Sequence, residues 1–275
     1  MSAATLPSTA ETLKPPQRPL MDRVFDYVVF GGIAALLVIS FRAADISHFG
    51  ELFAGGGKIR QYGGEFLRPD FGPNFAQLPL YVGKMWLTIQ MALWGTALAI
   101  LVAIPLGLAG ARNVSPAWIQ FPVRRLLDIL RSVPDLVVGV IFVVAVGLGP
   151  FAGVMAIAVN TGGVLGKLFS EAVESIDRGP VEGVRATGAA PLQEITWGVI
   201  PQVAPLWTSY ALYRFESSSR AATVLGIIGA GGIGQTLFDA INSYEFGQTS
   251  AIVLVIIVAV SLIDLLSQAI RGRLL

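Results

Sequence analysis

Apolar and polar positions divide this chain into long uncharged stretches separated by charged ones. The first 23 residues, MSAATLPSTAETLKPPQRPLMDR, are polar and hold four prolines, which predicts a mobile tail. Residues 27–41 carry no charge, and with Asp26 and Arg42 snorkelling at the ends they predict a first membrane helix over 24–44. A cleaved signal peptide is the competing reading. The length of the run, Arg42 directly behind it and a poor small-residue site favour an uncleaved helix. Residues 45–80 are rich in Gly and Pro and predict a loop. Residues 85–111, 27 positions without charge, predict a second helix. Residues 136–166 are uncharged for 31 positions, too long for one straight span and short for two. Gly147-Leu148-Gly149-Pro150 interrupts them with a turn signal, so they divide into helices over 132–147 and 151–172, with Asp135 and Lys167 near the water. A fifth helix over 203–224 contains charges, and a sixth over 249–270 holds Asp264. The pattern predicts an all-α, polytopic membrane protein of about six transmembrane helices.

Composition agrees. Of 275 residues 54% are apolar and 13% charged, and the mean hydropathy is +0.68. A soluble domain carries about 25% charged residues, so an ordinary cytosolic enzyme is excluded, as is a disordered chain. Net charge is +1, with nothing to suggest nucleic acid. The absence of Cys excludes disulfides and thiolate metal sites. The single His48 falls in the outer loop and reads as a solvated residue, so neither a metal cluster nor a Ser-His triad is expected. With six spans and an inner N-terminus, inner segments hold 12 Lys and Arg and outer segments 5. That bias predicts that both termini are cytoplasmic.

Most of the remaining acidic charge lies in 171–201. Its core runs Glu182-Gly183-Val184, three residues, Gly188, nine residues, then Gly198-Val199-Ile200-Pro201. Physically this is two short helices around a glycine hinge. Gly188 suits the left-handed end of the first, and Pro191 the first turn of the second. A solvated loop between spans is the plainer alternative. The spacing resembles the signature loop of ABC importer permeases: Glu-Ala-Ala, three residues, Gly, nine residues, Ile-x-Leu-Pro. Glu182, Gly188 and Pro201 match in register. Gly183 and Val184 stand for the two alanines, Gly198 for the Ile and Ile200 for the Leu. Further segments resemble the phosphonate-type permease subfamily: PVRRLLDILRSVP (122–134), FVVAVGLGPFAGV (142–154), GPVEGVRATGA (179–189), SYALYRFES (209–217) and GAGGIG (229–234). The resemblance runs from about residue 24 to the C-terminus.

That resemblance implies a type I ABC importer permease in the bacterial inner membrane. It divides the chain into a cytosolic tail (1–23), a first helix (24–44), a periplasmic loop (45–80) and a permease domain (81–275) with a coupling loop over 174–201. Glu182, Gly183, Gly188 and Pro201 would couple to the ATPase. Two ATP-binding subunits inside and a periplasmic phosphonate-binding protein outside would be partners. ATP and magnesium would belong to the ATP-binding partner, with no cofactor and no covalent chemistry in this chain. The sequence shows no internal repeat, so a second copy is expected to complete the pathway as a two-fold homodimer. The cargo would be a phosphonate, phosphite, phosphate or related oxyanion.

Other motifs are weaker. GAGGIG satisfies the dinucleotide fingerprint G-x-G-x-x-G, but Leu254, about 20 residues on, lies in an apolar span where an acid would be needed. Gly229, Gly231, Gly232 and Gly234 read instead as packing or gating at the outer end of the fifth helix. The Gly-Lys pairs at 57–58, 83–84 and 166–167 are followed by Ile, Met and Leu, so no phosphate-binding loop is formed. Asn113-Val114-Ser115 is a sequon on the inner side. The five Trp residues mostly sit near span ends, as interfacial anchors.

The fifth span carries Arg214, Glu216 and Arg220 in its middle and outer half. Glu216 and Arg220 can pair one turn apart. Arg214 points about 200° away from Glu216 and shares a face with Ser217 and Ser218. These five residues are candidates to line the pathway, with Arg220 nearer the outer mouth. A purely structural ion pair is the alternative. An ion-coupled secondary transporter for a small anion would show paired broken helices; only the region around 214–234 fits. An intramembrane enzyme would need a His, Cys or paired-carboxylate site, which is not evident.

Overall fold

The structure is a computed structural model that describes residues 20–43 and 56–274. The tail expected over 1–23 lies outside them up to residue 19, as do His48 and most of the first part of the expected 45–80 loop. Two units divide at residues 61 and 62. The first contains helix α1 (Leu20–Ala43), apolar on every side, as a helix in hydrocarbon must be. Among the described residues no strand occurs.

Helix α2 (Gly56–Phe66) straddles that division, the second unit beginning at its Tyr62, and occupies part of the expected loop. Its glycines hide a helical spacing; Tyr62 sits against Phe246, with ring centroids 4.9 Å apart. After a short turn at Pro73–Phe75 comes α3 (Leu78–Gly110), 33 residues and about 50 Å long, seven residues earlier than expected. Gly110 ends α3. The amphipathic α4 (Ala117–Ser132) was not anticipated as a separate helix. It meets α5 (Asp135–Val146) at 89°. Pro134 causes the break: Val133 before it is extended, at φ −87° and ψ 123°. At 12 residues α5 is about 18 Å long and cannot cross a bilayer alone.

Helix α6 (Pro150–Glu174) returns after the Gly147–Gly149 turn, so the expected division of 136–166 is correct. It lies along α3 over most of their length because both contact faces are small. A Cβ at Gly95 would collide with Ile157, and one at Gly163 with Leu130 of α4. Phe169 and Trp207 stack in the lower core, 4.6 Å between centroids.

The expected coupling-loop sequence forms α7 (Arg178–Ala186) and a single turn, α8 (Pro191–Glu194), as the glycine spacing predicted. A π-turn (Ile195–Val199) joins α8 directly to α9 (Ile200–Leu225). Pro201 lacks an N–H for the regular ladder, which suits a π-turn just before it. Helix α9 breaks at Gly226–Gly231 and resumes at 49° as α10 (Gly232–Asn242). Helix α11 (Phe246–Leu274) closes the unit beside α9, α10 and α3. Four helices are long and apolar enough to cross a membrane, and each of the two bent pairs brings the number up by one, to six, among the described residues.

Candidate functional site

Three clusters hold the residues singled out in the sequence. The first is the α7–α8 elbow. Asp177 caps α7 by accepting from the Gly179 amide at 3.0 Å. Gly188 has φ +80°, the left-handed value expected of the hinge, and donates its amide to the Arg185 carbonyl. Across the hinge, Arg185 donates to both oxygens of Glu194, at 3.0 and 2.8 Å, which raises the Arg185 pKa. The fork fixes the angle between the two helices. Gln202, one residue past the exposed Pro201, donates to the carbonyls of Asp177 and Gly198. The elbow is therefore tied to the foot of α9. Glu182 and Gly183 are exposed, and no atom would touch a Cβ on Gly183. Leu192 and Trp197 are also exposed here, so Trp197 joins the elbow. Among the described residues nothing covers this surface.

The second cluster lies on α9. Glu216 is 8% exposed and accepts from Arg220 at 2.9 Å, the pairing expected one turn apart. Its other oxygen lies 3.7 Å from Arg271 of α11, a partner the sequence did not reveal because Arg271 counted among residues of the inner tail. Arg214 stands apart from that pair. Its Nη2 donates to Thr161 at 3.1 Å and to Asn160 at 3.5 Å, both on α6. Ser218 is 3.4 Å from the same Thr161 hydroxyl. Ser217 is half-buried and stays outside this network. Asp135, at the start of α5, faces Arg214 electrostatically. Asp135 is half-buried, and its Oδ1 is buried without a hydrogen bond. Because the helix resumes as α10, Arg214–Arg220 fall in the first half of the bent α9–α10 pair. Within α9 itself they lie in the middle and the second half, as expected of the fifth span.

The third cluster is the α9–α10 break. Gly229, Gly231 and Gly232 have φ of +89°, +81° and +74°, which side chains rarely adopt. Gly149 donates its amide to the Gly229 carbonyl at 3.1 Å, joining the break to the α5–α6 turn. The Ile233 amide donates to Thr88 at 2.9 Å, and a Cβ on Gly234 would strike the Thr223 carbonyl. Left-handed backbone calls for glycine at 229, 231 and 232, and close approach to the Thr223 carbonyl calls for it at 234. The preceding TVLGII is the end of a helix, so the dinucleotide reading loses its strand.

A bundle of membrane-crossing helices with an exposed, rigidly mounted elbow between two of them defines a membrane transport subunit of the ABC importer type. The sequence profile described as "Binding-protein-dependent transport system inner membrane component" matches residues 95–274, and the chain belongs to that family. It is 41% identical over 200 residues to the phosphite transport system permease protein PtxC of Stutzerimonas stutzeri, covering 72% of this chain and 73% of that one. It is 61% identical over 117 residues to the putative cryptic phosphonate transport system permease protein PhnE2 of Escherichia coli K12, covering 42% and 96%. Among solved structures, a chain of the MetNI methionine ABC transporter shares the fold at a TM-score of 0.65 and 21% identity, covering 72% of this chain and 97% of that one. The protein is a multi-pass membrane permease subunit of an ABC transporter, with the type I importer fold, and not itself an enzyme.

Proposed function

We propose that this chain imports phosphonates or related phosphorus oxyanions, phosphite and phosphate among them, in an ATP-driven complex. The observation that carries the cargo class is the similarity to relatives named for phosphite and phosphonate transport. The polar face of α9 is consistent with it, since a guanidinium offers planar donors suited to such anions. Two copies form the pathway around a two-fold axis. Arg214 and Ser218 offer the anion a brief, weak site, Ser217 borders it, and Arg220 draws the anion towards it. Glu216 holds Arg220 in place.

ATP, with its magnesium, is hydrolysed in two partner subunits on the cytosolic side, which dock on the exposed surface of Glu182, Gly183 and Gly188, and Pro201 lies beside it. The α7–α8 elbow passes the motion to α9 through Arg185–Glu194 and Gln202. A periplasmic binding protein delivers the cargo, and both termini are cytoplasmic. The glycines at 229, 231, 232 and 234 hold the break that closes the outer end.

The test is ligand-dependent ATPase activity of the reconstituted complex across a panel of oxyanions. Stimulation by phosphite or methylphosphonate through the binding protein, and none by sulfate, is expected. Equal stimulation by all oxyanions, or none by any, would overturn the cargo assignment.

A further inference from the structure

Glu174, the last residue of α6, gathers the ends of three helices. Its carboxylate accepts from the Arg112 amide at 2.7 Å and from the Arg124 guanidinium of α4. The Arg112 side chain lies 3.9 Å from the same oxygen. Arg124 also donates its Nε–H to the Gly110 carbonyl at 2.8 Å. Gly110 ends α3, where carbonyls have no partner within the helix and favour a cation. Beside it the Asn113 side chain donates to the Val173 carbonyl at 2.6 Å. Arg124 is 15% exposed and Glu174 26%, so water screens this pair less than a surface pair. The ends of α3 and α6 are thus fastened to α4.

A second set of bonds begins three residues further on. Asp177 donates its amide to the Gln202 side chain at 3.2 Å, and its carbonyl accepts from the same side chain at 3.2 Å. Asp177 is thereby fixed to the foot of α9. Only Ser175 and Ile176 stand between the two sets. Ile176 lies in a bend, and its amide donates to nothing among the described residues. A cleft of about 250 Å³ opens at the same place. Asn113 and Val114 of the α3–α4 turn line one side of it, Arg178, Val181 and Arg185 of α7 the other, and Ile176 lies at the join. The cleft leaves the elbow room to move towards the α3–α4 turn. Hinges are a few residues at the ends of elements that absorb the change in backbone angles, and Ser175–Ile176 meets that description.

We propose that Glu174 is a positioning residue for energy coupling: it holds α6 to α3 and α4 as a fixed base, so that displacement of the elbow is taken up at Ser175–Ile176 and delivered to α9. Without that base α6 travels with the elbow, and part of the displacement is lost. Arg185–Glu194 and Gln202 carry the motion forward, and Glu174 supplies the point against which it acts. This rests on the reading of the elbow as the dock of the ATP-binding subunits.

The experiment uses the full complex with its binding protein in proteoliposomes. It reads phosphite transported per ATP hydrolysed, and thermal unfolding beside it. Wild type is compared with Glu174→Ala, Glu174→Gln and Glu171→Gln, the last an exposed acid one turn earlier, 3.9 Å from Lys167. Glu174→Ala should still hydrolyse ATP but move at least roughly tenfold less phosphite per ATP, equivalent to about 1.4 kcal/mol. Glu174→Gln keeps an acceptor oxygen and should retain more of the ratio, and Glu171→Gln should match wild type. An unchanged ratio in Glu174→Ala, with only thermal unfolding lowered, would make Glu174 a structural contact and overturn the proposal. Where Glu174→Ala does not assemble, hydrogen exchange of the wild-type complex decides. A non-hydrolysable ATP analogue should alter exchange across residues 175–177 and leave Arg112 and residues 171–174 unchanged. Equal alteration of all three would overturn the proposal. ATP-binding subunits that fail to bind the wild-type chain would overturn the reading of the elbow, and the proposal with it.

Discussion

Glu216 and Arg271 stand 3.7 Å apart, joining α9 to the last turn of α11. Glu216 is the buried member of a three-residue group, with Arg220 at 2.9 Å on its own helix. The position of Arg271 shows that α11 ends beside the middle of α9 rather than beside its foot. The foot of α9 and the elbow therefore extend about 20 Å past that level.

Removing the charge of Glu216 leaves two guanidinium groups facing each other. Glu216→Gln is expected to destabilise the solubilised complex by about 1–3 kcal/mol. Arg271→Gln should cost less, because Arg220 still neutralises Glu216. Thermal unfolding of the two variants side by side checks the order; equal losses would count against a shared triad.

Gly183 and Gly188 separate two roles of the elbow. Gly183→Leu meets no atom of its own chain, so the variant should insert and fold normally, and should bind the ATP-binding subunit at least about tenfold more weakly. Gly188→Val forces a β-branched residue to φ +80°, a strain of about 1–3 kcal/mol, and should uncouple ATP hydrolysis from transport. Pull-down affinity and the ratio of transport to ATPase activity read the two effects. Normal coupling in Gly188→Val would reduce Gly188 to a loop glycine.

At the α9–α10 break, Thr88→Val keeps the shape but deprives the Ile233 amide of its acceptor. A loss of about 1–3 kcal/mol follows for an orphaned buried amide. Faster hydrogen exchange at Ile233–Gln235 in the variant, with the lower core unchanged, is the expected signature.

Orientation is open to a direct test, because the chain has no native Cys. Cysteine at Gly56 should react with an impermeant reagent from outside, and cysteine at Arg178 only after the membrane is opened. Labelling of both from one side would reverse the proposed order of spans.

At Arg214, Lys keeps the charge but loses the planar fork. Arg214→Lys should retain part of the transport rate, and Arg214→Ala should lose most of it while the complex still assembles. Transport at the normal rate by assembled Arg214→Ala would remove Arg214 from the pathway.

The sequence carried the long apolar helices, the division at Gly147–Pro150 and the Gly188 hinge, because each is written in local features: absence of charge, turn residues, or spacing. It carried the Glu216–Arg220 pair for the same reason. Helix α2 was hidden because four glycines in eleven residues obscure its one packing side, where Tyr62 meets Phe246. Helix α4 was missed because its amphipathic, charged sequence does not resemble a span, and the 89° turn depends on Pro134 and on Asn160 from another helix. The partners of Arg214 were out of reach for a similar reason. Asn160 and Thr161 are neutral residues in an uncharged stretch. Only the crossing of α6 and α9 brings them to Arg214. Arg271 reaches Glu216 through the relative depth of two helices, which no spacing along the chain records.

Uptake of labelled phosphite into proteoliposomes holding the full complex tests most directly whether this chain forms the pathway of an ATP-driven importer of phosphorus oxyanions. Uptake that needs the external binding protein and internal ATP, and that survives collapse of the proton and sodium gradients, is expected. Uptake driven by an ion gradient without ATP would contradict the claim and identify an ion-coupled carrier instead.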